Sequence, residues 1–122
     1  MSKRTYVDGF VIPFKKSGVG TYKKMATLGR KIWMEYGALD YYECVGEDLK
    51  NEWGLSFAKL CNLKPDENVI FAFITYKSKA HRNQVNKKVM KDPRMKMDLK
   101  APFDMKRFTC GGFRILLSAK KD

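Results

Sequence analysis

The sequence has one histidine, His81, and three cysteines, Cys44, Cys61 and Cys110, none of them in a Cys-x-x-Cys pair. A structural zinc site needs four ligands at short, regular spacing, so the sequence predicts no metal, and nothing in it asks for a cofactor. Three scattered thiols without a secretion signal read as reduced cysteines in a reducing compartment. Long apolar runs are also missing: the longest are about six residues, against the roughly 20 needed to cross a bilayer. Met1-Ser2-Lys3-Arg4-Thr5 is basic but runs directly into strand-like sequence, not into the apolar stretch of a signal peptide. The expectation is a cytoplasmic protein with no membrane partner.

Acidic residues are scarce too. There are 13 against 25 lysines and arginines, a net charge of +12. Such an excess fits either an acidic partner such as nucleic acid or a solvated cationic surface. Lys15-Lys16, Lys23-Lys24, Lys87-Lys88 and Lys120-Lys121 spread the charge over every segment, which favours the solvated surface.

What remains is enough for a core. Of 122 residues, 44% are hydrophobic and 13% aromatic, which excludes wholesale disorder and predicts one domain spanning 1–122. Residues 6–12 read as a strand stopped by Pro13. Residues 20–36 read as a helix with the stripe Tyr22, Met25, Ala26, Gly29, Ile32, Trp33, Tyr36, ended by Gly37. Residues 39–46 form a second strand with Leu39, Tyr41, Glu43 and Val45 on one face. Residues 47–68 are irregular, with one helical turn near 56–60. Residues 69–76 are apolar on both faces, as suits a strand inside a sheet. Ser78 caps a helix over 79–91, Asp92-Pro93 restarts a short one to Leu99, and 107–118 is the last strand.

The order β-α-β-β-α-β predicts an α+β fold of ferredoxin-like topology, one antiparallel sheet with both helices on one face. Every strand nevertheless carries apolar side chains in both directions, as in Phe10 beside Val11, Phe71 and Phe73 beside Ile70 and Ile74, and Leu116 beside Ile115 and Leu117. Two helices cover one face only. The bare face predicts a two-fold homodimer.

Several stretches resemble the YbaA-like family of uncharacterised bacterial proteins. They are residues 6–11 (YVDGFV), 35–39 (EYGAL), 43–48 (ECVGED), 76–80 (YKSKA), 90–95 (MKDPRM), 102–104 (PFD) and 111–113 (GGF), in one order over nearly the whole chain. The resemblance implies a dimeric α/β barrel, a superfamily that also holds cofactor-independent monooxygenases, and it implies no known reaction.

Four groups of residues bear on chemistry. The first is a cleft between helices and sheet, lined by Tyr6, Asp8, Glu43, His81 and Arg107, where a small molecule would bind. Carboxylates in apolar rows either pair or titrate abnormally, and a carboxylate with a histidine can serve as acid and base. The plainer reading makes Glu43 and Arg107 a structural ion pair and His81, in line with Val85 and Val89, a core residue. The second is RNA binding. Phe71-Ala72-Phe73-Ile74-Thr75-Tyr76 fits the last six positions of the aromatic strand of an RNA-recognition motif, but Val69-Ile70 replace its basic residue and glycine, and Asp8 stands where phosphates would approach. The third is the thiols: Cys44 and Cys110 are expected to be buried in strands and inert, and Cys61 to be ordinary despite Lys59 and Lys64. The fourth comprises Gly18-x-Gly20 before a helix, read as a plain turn, and Met90, Met95, Met97 and Met105, read as pliable core filling. The expected function is a homodimer that binds a small molecule, with a basic RNA-binding module as the alternative.

Overall fold

The structure, a computed structural model, describes residues 3–95 and 102–121. Four strands form one sheet: β1 (Tyr6–Lys15), β2 (Asp40–Val45), β3 (Glu67–Tyr76) and β4 (Thr109–Arg114), in the order β2-β3-β1-β4 and antiparallel throughout. Helix α1 (Val19–Glu35) joins β1 to β2, the single turn α2 (Phe57–Leu60) lies between β2 and β3, and α3 (Lys79–Lys91) joins β3 towards β4. The expected order of elements holds. Ser78 accepts from the His81 amide as the α3 cap, and Ser56 from the Lys59 amide as the α2 cap, because a side-chain oxygen satisfies a helix N–H that has no partner within the helix. Gly37, at φ +112°, takes the left-handed turn that releases the chain from α1 into β2.

Register assigns the faces. Tyr6 pairs with Tyr76, Asp8 with Ile74, Phe10 with Ala72 and Ile12 with Ile70, so even-numbered residues of β1 and β3 share one face. That face carries α1 and α3. Its core has two buried clusters: Ile32, Ala38, Ile74, Tyr76, Val85 and Val89 in one, and Ile12, Phe14, Tyr22, Ile70 and Ala72 in the other. The opposite face presents Val7, Gly9 and Val11 of β1, Phe71, Phe73 and Thr75 of β3, Tyr42 and Cys44 of β2, and Gly111 and Phe113 of β4. Among the described residues no helix longer than the single turn α2 lies against it.

Two boundaries differ from the sequence reading. Pro13 does not stop the first strand, which continues to Lys15. Proline is tolerated there because the β1–β4 ladder has already ended at Val11–Thr109. The last strand ends at Arg114, not 118, and beyond it the Ile115 amide donates to the Thr5 carbonyl at 2.9 Å. Asp92 closes α3 after Lys91, as expected: its carboxylate accepts from the Arg94 amide, the Arg94 guanidinium and the Tyr36 hydroxyl, tying the ends of α1 and α3 together. Arg94 first, then Tyr36, holds that carboxyl well below the usual range. Met97 and Leu99, with the part of the expected short helix beyond Met95, lie outside the described residues.

Candidate functional site

Strand β1 puts Tyr6 and Asp8 on the helix-covered face, and α3 crosses above them with Arg82, Val85, Asn86 and Val89 on its inner stripe. Asp8 is buried. Asn86 Nδ2 donates to one of its oxygens over 3.4 Å, and Arg82 Nε stands 3.4 Å from the other. These are the long end of hydrogen-bonding range. Arg82 Nη2 donates to the Tyr6 hydroxyl at 3.0 Å, and the guanidinium lies 5.1 Å from the centre of the Tyr6 ring. Asn86 is held from behind, since Trp33 Nε1 (3.1 Å) and the Tyr76 hydroxyl (3.3 Å) both donate to its carbonyl oxygen. Arg82 Nε is buried and has no hydrogen-bond partner among the described residues. On the β4 side Gly112 faces Asp8 across the ladder, and a methyl group there would run into the Tyr6 hydroxyl and Arg82 Nη2. Glycine at 112 is what lets these two side chains lie across the edge strand.

Burial pushes the Asp8 carboxyl up, and Arg82, then Asn86 and Tyr76, only partly oppose this. An acid whose folded pKa exceeds its unfolded value costs stability once it ionises, and the cost vanishes below the ordinary value of 3.8. Asp8→Asn is therefore expected to look better relative to the parent at pH 7 than at pH 3, in urea unfolding at both. A pH-independent difference would show Asp8 to be fully compensated.

The other three residues expected in the cleft have partners elsewhere. Glu43 accepts from the Tyr22 hydroxyl and from the Tyr41 hydroxyl at 2.6 Å, under α1. Burial first, and then Glu43, raises both phenols well above their ordinary range, so they remain donors. Arg107 does not pair with Glu43. It binds Glu67 through two nitrogens at 2.7 and 3.0 Å and the carbonyls of Cys61 and Asn62 at 2.8 and 3.1 Å. His81 Nδ1 accepts from the Lys77 amide at 3.0 Å, with its ring edge-on to Tyr76. Burial, then Lys77, lowers its pKa. The acid and histidine thus do not form one acid–base pair. Arg82 and Asn86 were not anticipated, although their positions 82, 85, 86 and 89 follow helical spacing and would have placed both beside Asp8.

Cys44 and Cys110 are exposed, not buried, because β2 and β4 are the sheet edges. Burial raises the Cys61 thiol, so it is not activated. Gly18 packs against the Pro102 ring, Met95 lies partly buried on the core, and Met90 and Met105 are exposed. Among the described residues no group of three or more His, Cys, Asp or Glu is placed to hold a metal ion, and no helix is long and apolar enough to cross a membrane. The larger open cavity, about 680 Å³ among Lys16, Leu49, Lys59 and Asn68, is beside the 47–68 segment and away from Asp8. A smaller one, about 250 Å³, opens on the uncovered face between Val11, Leu60, Cys61, Arg107 and Thr109.

A four-stranded antiparallel sheet in the order β2-β3-β1-β4, with its two long helices on one side, defines a ferredoxin-like protein. The chain is similar to a dimeric ferredoxin-like protein from an uncultured marine organism, with a TM-score of 0.56 and 12% identity over 96% of this chain and 100% of that one. Within that fold it belongs to a family of proteins of unknown function, DUF1428, whose model matches residues 5–105. It is 36% identical over 113 residues to the uncharacterized protein YbaA of Escherichia coli K12, covering 92% of this chain and 97% of that one. The YbaA of Shigella flexneri matches to the same extent.

Proposed function

We propose that this protein is a homodimer that closes its uncovered sheet faces on one another and binds a small polar molecule on the helix side of each subunit, where Tyr6, Asp8 and Arg82 meet. What carries the reading is the contrast between the two faces of one sheet. The uncovered face is aromatic at its centre. Tyr42 stacks on Phe73 at 4.9 Å, Phe73 lies 6.0 Å from Phe71, and Phe113 covers Gly9. The helix-covered face holds an acid with long contacts and an arginine nitrogen that stands 3.4 Å from it and has no hydrogen bond among the described residues, a looser arrangement than a structural ion pair. A dimeric protein of the same fold supports the first half of the reading.

The aromatic row suits single-stranded RNA as well, since bases stack on exposed rings. The charge does not follow the rings. Val7, Gly9, Val11, Phe71, Phe73, Thr75, Tyr42, Cys44, Gly111 and Phe113 include no lysine or arginine. The charged residues stand at the ends of the face, Asp40 with Arg4 at one, and Glu67 with Arg107 and Lys15 at the other. Phosphate neutralisation supplies most RNA affinity, so a second copy of the same apolar face fits better than RNA.

Native mass spectrometry of freshly purified protein is expected to show twice the 14.2-kDa chain mass. A monomer that binds single-stranded RNA with steep salt dependence would replace this reading with the RNA one. For the ligand half, a fragment set of phenols, carboxylic acids and amines is expected to include compounds that raise Tm in the parent and not in Arg82→Met. If no fragment moves the parent's Tm, or Arg82→Met responds equally, that half fails.

A further inference from the structure

The three exposed rings of the uncovered sheet face do not make a stable interface by themselves. Tyr42, Phe71 and Phe113 are 53%, 46% and 59% exposed. At about 200 Å² for a whole aromatic side chain they offer only about 300 Å², against the roughly 800 Å² per partner of a stable interface. More apolar surface is required, and it must adjoin this face.

The chain supplies it at the end of β4. Residues 115–121 leave the sheet edge but are not a loose tail. The Ile115 amide binds the Thr5 carbonyl, so the segment follows the N-terminal residues across the end of the sheet. Its start therefore lies beside Arg4, whose guanidinium pairs with Asp40 of β2. Along this path Leu116 and Leu117 are 85% and 89% exposed. Adjacent leucines on a segment held at its start, exposed among the described residues, do not improve the fold of one subunit. At the other end of the same face Phe57 of α2 leans on Phe71, with Leu60 beside it lining the cavity with Val11 and Thr109. The arm and α2 therefore flank the aromatic centre at opposite ends.

We infer that residues 115–121 form a clasp arm whose Leu116 and Leu117 are buried against the uncovered face of a second copy of this chain. The inference rests on the dimer reading above and adds what completes its interface. In a two-fold dimer each copy gives one arm and receives one, so each leucine pair counts twice. The occupant is a second copy because the arm borders the face that needs the area. The uncharged centre of that face would also neither hold a charged partner nor repel its own image.

Two variants test the arm: Leu116→Ser with Leu117→Ser, and a chain ending at Arg114. The serine pair alters only exposed residues, the shortened chain also removes half-buried Ile115 and its bond to Thr5, and unchanged circular dichroism will confirm folding in each. Sedimentation over a dilution series is expected to show the parent dimer and a Kd raised about 100-fold or more in either variant. Hydrogen exchange at the amides of 116–119 is expected to be slow in the concentrated parent and fast on dilution. A parent dimer whose Kd neither variant changes overturns the arm and leaves the dimer standing. A parent that is monomeric at every concentration overturns both, and then Phe71→Glu will leave its sedimentation unchanged as well.

Discussion

Phe14→Ala is expected to destabilise the protein by about 3–5 kcal/mol, seen as a lower urea midpoint at unchanged slope and fixed protein concentration. Phe14 is 1% exposed and sits where three elements meet. Its ring is 5.7 Å from Tyr22 of α1, and its backbone bridges to Phe103 beyond the helices. Phe103 in turn lies 6.0 Å from Tyr22 and 6.0 Å from Phe108, which stacks edge-on with Phe10. The Phe14 side chain therefore connects the end of β1 to the segment that delivers β4. A cavity of that size cannot be refilled by Ile12, Ile70 or Ala72, which are already packed around it. A loss below about 1 kcal/mol would mean that the 102–108 segment is not anchored through this ring.

The same residue shows where sequence reading stops. Period-two alternation and β-branched content located all four strands, and helical spacing with good caps located α1 and α3. These signals are local and strong. Proline was taken as a stop because it lacks an amide proton, yet whether one is needed at residue 13 depends on how far the neighbouring strand reaches, which is not a local property. Pro13 and Phe14 are among the largest fully buried side chains, in a position that local rules assign to a turn. The thiols were misread for a related reason: Cys44 and Cys110 lie in strands, but strand order puts both at edges.

The candidate site divides along the same line. Tyr6 and Asp8 share a strand face by simple alternation, and they do lie together. Glu43 was rightly placed in the inward row of β2, but its partners come from the register of α1 over the sheet, which brings Tyr22 to one oxygen while Tyr41 serves the other. Gly29 permits that approach, since a methyl group there would stand 3.1 Å from the Tyr41 hydroxyl. Glu43 is thus a carboxylate satisfied by two phenols, whereas Asp8 is a carboxylate with long contacts to an amide and a guanidinium. Two inward acids that look alike in the sequence differ in how closely their partners hold them.

Arg107→Ala is expected to cost about 2–4 kcal/mol at pH 7, because it strands a largely covered carboxylate and frees two carbonyls at once. From the turn before β4, Arg107 reaches Glu67 at the start of β3 and the Cys61 and Asn62 carbonyls after α2, so one side chain joins three segments. Asn62 itself holds a left-handed φ of +50°. Beside Arg107 the Glu67 carboxyl falls from 4.5 to about 2, with the Lys64 amide as a second cause. A depressed carboxyl gives stability that is present above its unfolded value and lost as pH falls through its folded one. The difference between parent and variant is therefore expected to be full above about pH 5 and to shrink steadily towards pH 2, measured by urea unfolding at pH 7, 4 and 2.5. Comparing parent with variant at each pH removes the common contributions of Asp92, Asp40 and Glu35, which are lowered by their own arginines in both proteins. A difference that persists undiminished at pH 2.5 would mean that Arg107 works through the two carbonyls and not through the carboxylate. Arg107 would then hold the α2 turn, and with it Phe57 and Leu60, against the uncovered face.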